Sequence, residues 1–309
     1  MAFIGIDLGG TKIRGAIAGA NAQILHETVV DTASNDGRAV TQQIIAMCAQ
    51  LQKESHATGK NVTRIAVGTP GLVTSDGTIN FASNIAGFHK VSLGPALSEA
   101  LGVPVVVEND ANTAAIGEGT SGAAINKANY AVLTIGTGTG LGLVVDGRLL
   151  RGHRGGAGEV AFLPFGTDPT SKKSRTSGAL ETAVAGPALQ RLARSLRRSS
   201  PHSALPKLCT AHHIFDIPHD PVSTAVISYA AELIAQAIAA IAALTDPELI
   251  ILAGGIGARP ELVGPVRNVA RTMLPSPVSI ESSTLGARSG VLGALALAMS
   301  SNHPAGTKA

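Results

Sequence analysis

The chain opens both of its halves with the same pattern, a β-rich run, a glycine turn and a second β-rich run. Residues 3–17 read FIGIDLGGTKIRGAI, and residues 130–145 read YAVLTIGTGTGLGLVV. Branched apolar residues on either side of a glycine-rich turn predict a strand, a turn and a strand. A chain that begins each half with the same supersecondary unit is expected to form two related lobes that hold a ligand between them.

The rest of the sequence alternates predicted strands and helices. Further strands are predicted at residues 24–30, 63–68, 103–107 and 248–252, helices at 38–54 and 289–299, and a loop at 167–177. The valines after Pro104 predict a strand buried on both faces. With 309 residues the chain can form two cores, and its 36 glycines suit a closely packed α/β protein. We predict an α/β fold with a small lobe at 1–116, completed by a C-terminal helix at about 289–302, and a large lobe at 117–288.

Several classes of protein are disfavoured by composition. Two cysteines, Cys48 and Cys209, are too few for a disulfide framework or a cysteine-built zinc site, which favours a reducing compartment. Asp7 interrupts the first apolar residues, so no signal peptide is expected. Residues 226–244 are apolar, but they are mostly alanine and contain Glu232, so a buried helix is predicted there rather than a membrane span. We expect a cytoplasmic protein without a membrane partner.

The charge balance is only mildly basic, with a formal net charge of +3. One arginine cluster occurs without interleaved aromatic residues, at Arg191, Arg194, Arg197 and Arg198. It is more typical of a solvated helix face than of a nucleic-acid surface, so no nucleic-acid partner is expected.

The two glycine turns present backbone N–H groups without obstruction by a Cβ, as polyphosphate binding requires. They are Gly9-Gly10-Thr11 and Gly136-Thr137-Gly138-Thr139-Gly140. Each leads into another strand, unlike a P-loop or a Rossmann turn, and two ordinary hairpin turns remain the alternative. Asp7 favours the phosphate interpretation, because a carboxylate beside phosphates is repulsive unless a cation lies between them. We therefore predict Mg²⁺ at Asp7, bound directly or through water.

Other polar residues stand where ligands are expected. Asp110 ends a buried strand and starts a helix, so it is either a helix N-cap or a ligand group at the carboxyl end of a strand. Asn109 beside it adds a polar group that a cap does not require. Glu159 and Glu181 lie among small or apolar residues and are either surface residues or ligands for hydroxyl groups. Asn84 is either a turn residue or a ligand group.

These motifs, in this order, resemble the ROK (repressor, open reading frame, kinase) family of bacterial sugar kinases and sugar-responsive regulators. The similar segments are spread over nearly the whole chain: residues 5–12 (GIDLGGTK), 107–112 (VENDAN), 135–140 (IGTGTG), 157–159 (AGE) and 252–255 (LAGG). The resemblance implies a two-lobed actin-like ATPase (RNase H-like) fold, related to that of hexokinase, with a cleft between the lobes.

The resemblance also implies roles for individual residues. The two glycine turns would hold the phosphates of ATP, with Thr11 and Lys12 near the terminal phosphate, and Gly254 and Gly255 would lie by the adenosine. The residues implied to hydrogen-bond the sugar are Asn84, Asn109, Asp110, Glu159 and Glu181. Among them, Asp110 would deprotonate the hydroxyl that attacks the γ-phosphate.

The sequence departs from the family pattern after Gly158-Glu159. Many ROK kinases have a hydrophobic residue, glycine and histidine there, followed by a cysteine-rich zinc loop, whereas this chain has Val160-Ala161-Phe162. Residues 163–180 contain neither cysteine nor histidine, so no zinc site is expected. Phe162 replaces a histidine that contacts the sugar, which predicts altered sugar selectivity without loss of chemistry.

The sequence therefore predicts a homodimeric kinase that transfers the γ-phosphate of MgATP to a hexose, aminosugar or N-acetyl sugar. The C6 hydroxyl is the expected acceptor, by family analogy alone. Two alternatives stay open: a sugar-binding regulator without kinase activity, and a kinase that uses polyphosphate as the donor.

Overall fold

The computed structural model of the chain describes residues 1–33, 36–81 and 87–300. The chain divides into two units. The first consists of Met1–Ile125, Leu149–Ala157 and Arg288–Ala309, of which residues up to 300 are described, and the second of Asn126–Arg148 and Gly158–Ala287. The lobe boundaries expected from the sequence stay a prediction.

Strands and helices alternate along the described residues. The strands are β1 (Ala2–Leu8), β2 (Lys12–Gly19), β3 (Ile24–Asp31), β4 (Val62–Thr69), β5 (Leu72–Val73), β6 (Thr78–Phe81), β7 (Val91–Ser92), β8 (Val105–Asn109), β9 (Tyr130–Ile135), β10 (Thr139–Val145), β11 (Arg148–Leu149), β12 (Leu249–Ala253) and β13 (Ser279–Ser282). The helices are α1 (Gly37–Ala57), α2 (Leu93–Leu101), α3 (Asp110–Ser121), α4 (Lys172–Ser177), α5 (Glu181–Val184), α6 (Gly186–Arg198), α7 (Ala211–Asp216), α8 (Pro221–Thr245), α9 (Gly254–Gly257), α10 (Pro260–Met273) and α11 (Ser289–Met299). Short 3₁₀ turns occur at Val160–Phe162 and Gly286–Arg288.

The first unit contains a five-stranded sheet in the order β3-β2-β1-β4-β8. The pairs β1–β2 and β2–β3 are antiparallel, and β1–β4 and β4–β8 are parallel. In register, Asp7 lies opposite Arg14 of β2 and Gly68 of β4, and Gly68 lies opposite Glu108 of β8. Because parallel strands direct their carboxyl ends to one edge, Asp7 and Glu108 come to the same edge of the sheet.

The second unit repeats this topology. Its sheet has the order β11-β10-β9-β12-β13, with β9–β10 antiparallel and β9–β12 and β12–β13 parallel. All five residues of β12 are buried. The repeated strand, glycine turn and strand predicted from the sequence are therefore confirmed as β1–β2 in the first unit and β9–β10 in the second.

Helix α11 packs on the first sheet through positions that lack a side chain. A Cβ on Gly5 of β1 would lie 2.6 Å from the Leu295 nitrogen and 2.8 Å from the Val291 carbonyl oxygen. Likewise, a Cβ on Gly293 of α11 would overlap the Thr113 carbonyl group of α3. Glycine is therefore required at these positions for the backbones to approach so closely.

Helix α8 is long and apolar enough to pass a composition test for a membrane span, and 56% of its most apolar window is buried inside the structure. Its buried residues, such as Val226, Ile234 and Ile238, belong to the core of the second unit together with β9 and β12. The helix predicted at 226–244 is thus present, and it is longer at its N-terminal end.

Two local predictions of secondary structure and burial were wrong. Strand β8 lies at the edge of its sheet with Val105 and Val106 half-buried, so it is not buried on both faces. Residues 172–177, expected to be loop, form α4, whose first turn is capped by the Ser171 side chain (Oγ to Ser174 N, 3.1 Å).

The arginine cluster on α6 is only partly a solvated face. Arg194 donates from Nε to the Cys209 carbonyl (3.0 Å), and Arg197 donates from Nε to the Leu205 carbonyl (2.9 Å). These two side chains hold the segment that follows α6, so only part of the cluster is free to interact with solvent.

Candidate active site

Asp7 lies half-buried near the end of β1, at the edge where the parallel strands of the first unit end. Its pKa is raised to about 7, first by burial and then by the negative charge of Asp110, while Arg14 on β2 acts in the opposite direction. The electrostatic influence of Asp110 shows that the structure brings these two predicted site residues together.

Asp110 is the first residue of α3, and Asn109 is the N-cap. The alternative that Asp110 is itself the cap is therefore wrong: the Asn109 Oδ1 accepts from the backbone N–H groups of Ala111 (2.9 Å) and Asn112 (3.2 Å). Burial raises the pKa of Asp110, opposed by hydrogen bonds from the backbone N–H of Ala111 and from its own backbone. Because capping does not need the Asp110 carboxylate, this group is left for another purpose.

The Asn109 amide is largely used inside the protein. In addition to capping α3, its Nδ2 donates to the Gly71 carbonyl (3.1 Å). A carboxamide nitrogen has two protons, and this hydrogen bond uses one of them.

Glu108, which precedes these two residues, is a functional candidate that sequence reasoning missed. It is only 4% exposed. Its Oε1 accepts from the backbone N–H of Asn109 (3.0 Å) and from Nδ2 of Asn112 (2.9 Å), and its Oε2 accepts from Nε of Arg151 (2.6 Å). Through these hydrogen bonds, Glu108 connects the end of β8 and the first turn of α3 to Arg151 in the segment 149–157.

Gly290, in the first turn of α11, lies directly against Asp7. A Cβ at this position would be 2.6 Å from both carboxylate oxygens of Asp7. Any other residue there would displace the Asp7 carboxylate, so Gly290 is a second candidate that sequence reasoning missed. Its only sequence signal is a glycine near the start of an apolar helix.

The first glycine turn is closed by its own backbone. Gly9 N–H donates to the Lys12 carbonyl (2.9 Å), and Thr32 N–H donates to the Thr11 carbonyl (2.9 Å). A Cβ on Gly10 would meet no atom within 4 Å, so this side of the turn is open. The Lys12 ammonium contacts Asp31 (3.1 Å) in an exposed pair. Exposed pairs are worth about 0–1 kcal/mol, so Lys12 can leave Asp31 for a phosphate at little cost.

The donor groups near Asp7 fit Mg²⁺. The ion is commonly bound in kinases through one or two carboxylates together with substrate phosphates and water. Asp7 and Asp110 offer two carboxylates whose mutual repulsion a cation would relieve. Among the described residues, no group of three or more His, Cys, Asp or Glu side chains could hold a metal ion. The expected absence of a zinc site stays a prediction.

The second glycine turn lies in the second unit between β9 and β10. Gly136 N–H donates to the Gly138 carbonyl (2.9 Å), and the Gly136 carbonyl accepts from Gly186 N–H (2.8 Å). The backbone N–H of Thr139 donates to Oε2 of Glu181 (2.8 Å), so the structure brings these two predicted residues together. The Thr139 hydroxyl is buried and has no hydrogen-bond partner among the described residues. A phosphate oxygen would satisfy it.

Gly254 and Gly255, which follow β12, lie beside this turn. Gly254 has φ +83°, and a Cβ on it would be 2.5 Å from the Ile135 carbonyl oxygen, so only glycine fits. A Cβ on Gly136 would lie 3.9 Å from the Gly255 nitrogen, and nothing lies within 4 Å of a Cβ on Gly255. The predicted phosphate turn and the predicted adenosine glycines are therefore adjacent in the second unit.

The remaining predicted residues are placed less completely. Glu159 precedes the 3₁₀ turn that contains Phe162, whose side chain is 43% exposed. Thr137 is exposed at the tip of the second turn. Asn84 lies outside the described residues.

Comparison with known proteins identifies the family. The model of the ROK family matches residues 3–301. The chain belongs to the ROK family. A glucokinase from Halalkalibacterium halodurans is 30% identical over 94% of this ROK chain and 93% of its own length. The crystal structure of a ROK glucokinase from Streptomyces griseus in complex with glucose and AMPPNP matches with a TM-score of 0.83 and 28% identity, over 96% of this chain and 99% of that one.

ROK proteins with another role are similar as well. A ROK family transcriptional regulator, a homologue of the E. coli MLC protein, matches with a TM-score of 0.83 and 25% identity. The match covers 96% of this chain and 77% of the regulator. The family match and these structures confirm the predicted ROK membership and the actin-like α/β fold class.

Proposed function

We propose that this protein is an ATP-dependent hexose kinase in which Asp110 is the general base. The observation that carries the proposal is the position of Asp110. Its carboxylate is half-buried at the start of α3, is not needed as the helix cap, and lies within the electrostatic influence of Asp7. The glucokinases among its relatives support a sugar as the phosphoryl acceptor.

A sugar hydroxyl is a poor nucleophile at neutral pH, so a base that accepts its proton during transfer accelerates the reaction. Burial raises the pKa of Asp110, which makes its carboxylate a stronger base than an exposed one. The partial positive charge at the N-terminus of α3 still favours the ionised form. Asp110 would hold the hydroxyl and take its proton, and the oxygen would attack the γ-phosphorus in line.

The other predicted residues bind and orient the substrates. In the first unit, the turn at 9–11 and Lys12 would bind the terminal phosphate, and Asn109 would offer an N–H to the sugar. In the second unit, the turn at 136–139 would bind phosphate through its backbone and the Thr139 hydroxyl, with Gly254 and Gly255 beside the adenosine. Mg²⁺ held at Asp7, directly or through water, would neutralise charge on the phosphate oxygens.

The sugar would be bound by carboxylate and amide groups, because these accept and donate hydrogen bonds to hydroxyls. Glu159 and Glu181 supply carboxylates in the second unit, and Asn84 is proposed as a further ligand on sequence grounds alone. The acceptor is proposed to be the C6 hydroxyl, and the protein is proposed to act in the cytoplasm as a homodimer.

A second candidate function is sugar binding without phosphoryl transfer, which the similarity to a ROK regulator supports. A coupled ADP-release assay over hexoses, aminosugars and N-acetyl sugars separates the two, with polyphosphate supplied as an alternative donor. Sugar binding without phosphorylation across the whole panel would favour the regulator.

Replacement of Asp110 by asparagine tests the assignment of the base. The Asp110→Asn protein should fold, because Asn109 caps α3 and the new amide oxygen can still accept from Ala111 N–H. General-base contributions are about 10²–10⁴-fold, so kcat should fall by at least about a hundredfold. Asp246→Asn, at an exposed helix end, is the matched control and should retain full activity. Unchanged turnover in folded Asp110→Asn protein would refute the proposal.

A further inference from the structure

A loop in the second unit connects the two carboxylates that are proposed to bind the sugar. Glu159 precedes the loop and Glu181 follows it. At the base of the loop, Leu180 N–H donates to the Ala161 carbonyl (3.0 Å). Gly178 (φ +86°) has no side chain where it faces the same carbonyl group, and a Cβ there would overlap it. The two ends of the loop are therefore held side by side.

Four hydroxyl groups join the loop internally, and we call Thr167, Ser171, Ser174 and Thr182 the hydroxyl cluster. Thr167 Oγ1 lies 3.0 Å from Ser174 Oγ and 2.8 Å from Thr182 Oγ1, and Ser171 Oγ lies 2.9 Å from Ser174 Oγ. Ser174 is only 3% exposed, and the other three are half-buried. The cluster thus connects the start of the loop, α4 and α5.

The protons of the hydroxyl cluster can be arranged so that every hydroxyl donates once. Ser171 donates to Ser174, Ser174 to Thr167, Thr167 to Thr182, and Thr182 to the Gly178 carbonyl (2.9 Å). A partly buried polar network stabilises one conformation when all of its members are satisfied. The network of the hydroxyl cluster ends at the carbonyl oxygen of Gly178, three residues before Glu181.

Thr182 connects the hydroxyl cluster to the candidate active site. It is the neighbour of Glu181 in α5, and the Glu181 carboxylate accepts from the Thr139 backbone N–H (2.8 Å) in the second glycine turn. A loop that loses its internal hydrogen bonds would leave the base of the loop and Glu181 less well fixed. The hydroxyl cluster thus includes the residue next to Glu181, and the hydrogen bond from Leu180 N–H to the Ala161 carbonyl links that segment to the one after Glu159.

We propose that the hydroxyl cluster is a positioning device, which sets the geometry of Glu159 and Glu181 for the sugar. Thr167 is its central positioning residue, because its hydroxyl contacts those of both Ser174 and Thr182. The inference rests on the proposed function only in that it takes these two carboxylates to be sugar ligands.

Thr167→Val tests the proposal, because valine keeps the shape of threonine and removes the hydroxyl. The dissociation constant for the sugar, measured by calorimetry, and the sugar KM should rise about three- to tenfold, while kcat changes by less than about threefold. The sugar is the hexose with the highest kcat/KM in the panel or, if none is turned over, glucose. Thr167→Ser should restore binding, because it returns the hydroxyl.

The matched control is Thr176→Val. It removes an exposed hydroxyl that donates to the backbone carbonyl of Lys172, within the same helix α4 (3.0 Å). It should bind sugar like the wild type. If Thr167→Val fails to fold, Ser171→Ala removes the outermost hydroxyl and should show a smaller rise in the same constant. Wild-type sugar affinity in folded Thr167→Val or Ser171→Ala protein would overturn the proposal, even if the melting temperature fell.

The calorimetric measurement keeps the two hypotheses apart. A wild type that binds sugar but phosphorylates none would refute the kinase proposal and leave the effect of Thr167→Val measurable. An active wild type with an unaffected Thr167→Val variant would refute only the positioning role. A wild type that binds no sugar of the panel would overturn both.

Discussion

Glu108 is a carboxylate with three hydrogen-bond donors around it and almost no contact with solvent. Its neighbour in sequence, Asn109, caps α3, and Asp110 begins that helix. Glu108 therefore stabilises the backbone at the start of α3, where the proposed base Asp110 lies. Arg151, whose side chain is 37% exposed, is the cation of this arrangement.

Replacement of Arg151 by methionine should destabilise the protein, because it leaves the Glu108 carboxylate buried without its charged partner. The expected loss of unfolding free energy is about 1–3 kcal/mol, measured by urea unfolding. A fall in kcat should accompany it if the Asp110 geometry loosens. The double variant Glu108→Gln/Arg151→Met removes the buried charge as well and should recover part of the stability. A single variant as stable as the wild type would contradict this account.

Phe162 concerns selectivity rather than stability, because its ring is 43% exposed and contributes little to the core. If it occupies the place of a sugar-contacting histidine, Phe162→His should change the relative KM values of sugars that differ at C1 or C2. Turnover should stay within about tenfold, since uniform binding acts on KM. Leu208→His, at a 77% exposed leucine, is the control. An unchanged sugar profile would mean that Phe162 points away from the sugar.

At the scale of secondary structure, α8 depends on an unusually well-bonded cap. The Asp220 carboxylate accepts from Val222 N–H (2.9 Å), Ser223 N–H (3.3 Å), Ala204 N–H (2.6 Å) and the Ser203 hydroxyl (2.9 Å). Burial alone would raise the pKa of Asp220, but these hydrogen bonds outweigh it and hold the pKa below its usual value.

A carboxyl group with a lowered pKa in the folded state stabilises that state above the pKa of the unfolded chain, about 4. The contribution is lost as the pH falls through the folded-state pKa. Asp220→Ala should therefore cost about 1–2 kcal/mol of unfolding free energy at pH 7, and the difference from wild type should shrink below about pH 4. Asp36→Ala, which removes an exposed cap with one hydrogen bond to Arg38 N–H, should cost less. A pH-independent difference would refute the electrostatic part of this explanation.

Elements with a strong apolar pattern could be predicted from the sequence. The helix predicted at 289–299 is α11, and the predicted strand at 248–252 differs from β12 by one residue at each end. The error at β8 has a physical reason: a run of valines indicates a strand, but burial of its second face depends on which distant segments cover it. Helix α4 was missed because its six residues are polar, and only the Ser171 cap marks its start.

The candidate site was predictable where a residue type implies its chemistry, as for Asp7 and Asp110. It was not predictable where the role depends on a partner far away in sequence. Glu108 and Arg151 are separated by 43 positions, and Gly290 is important only because Asp7 folds against it. Asn109 and Asp110 are both able to cap a helix, and only the backbone path selects Asn109.

At the scale of the whole molecule, the repeated sheet topology places one glycine turn in each unit, and Asp7 precedes the first of these turns. Activity should depend on Mg²⁺ or Mn²⁺, because a carboxylate at Asp7 repels phosphates without a cation between them. A zinc-selective chelator should leave the steady-state rate unchanged, since residues 163–180 offer no cysteine or histidine. Inactivation by such a chelator, reversed by zinc alone, would overturn this expectation.

The packing of α11 on β1 has a consequence for the order in which the molecule forms during synthesis. Strand β1 is translated long before α11, yet Gly5 of β1 lies directly against Val291 and Leu295. The whole second unit emerges between them. At roughly 5–20 residues per second, the helix-binding face of β1 stays uncovered for a few tens of seconds. The surroundings of Asp7, which include Gly290, are therefore completed after the second unit has left the ribosome.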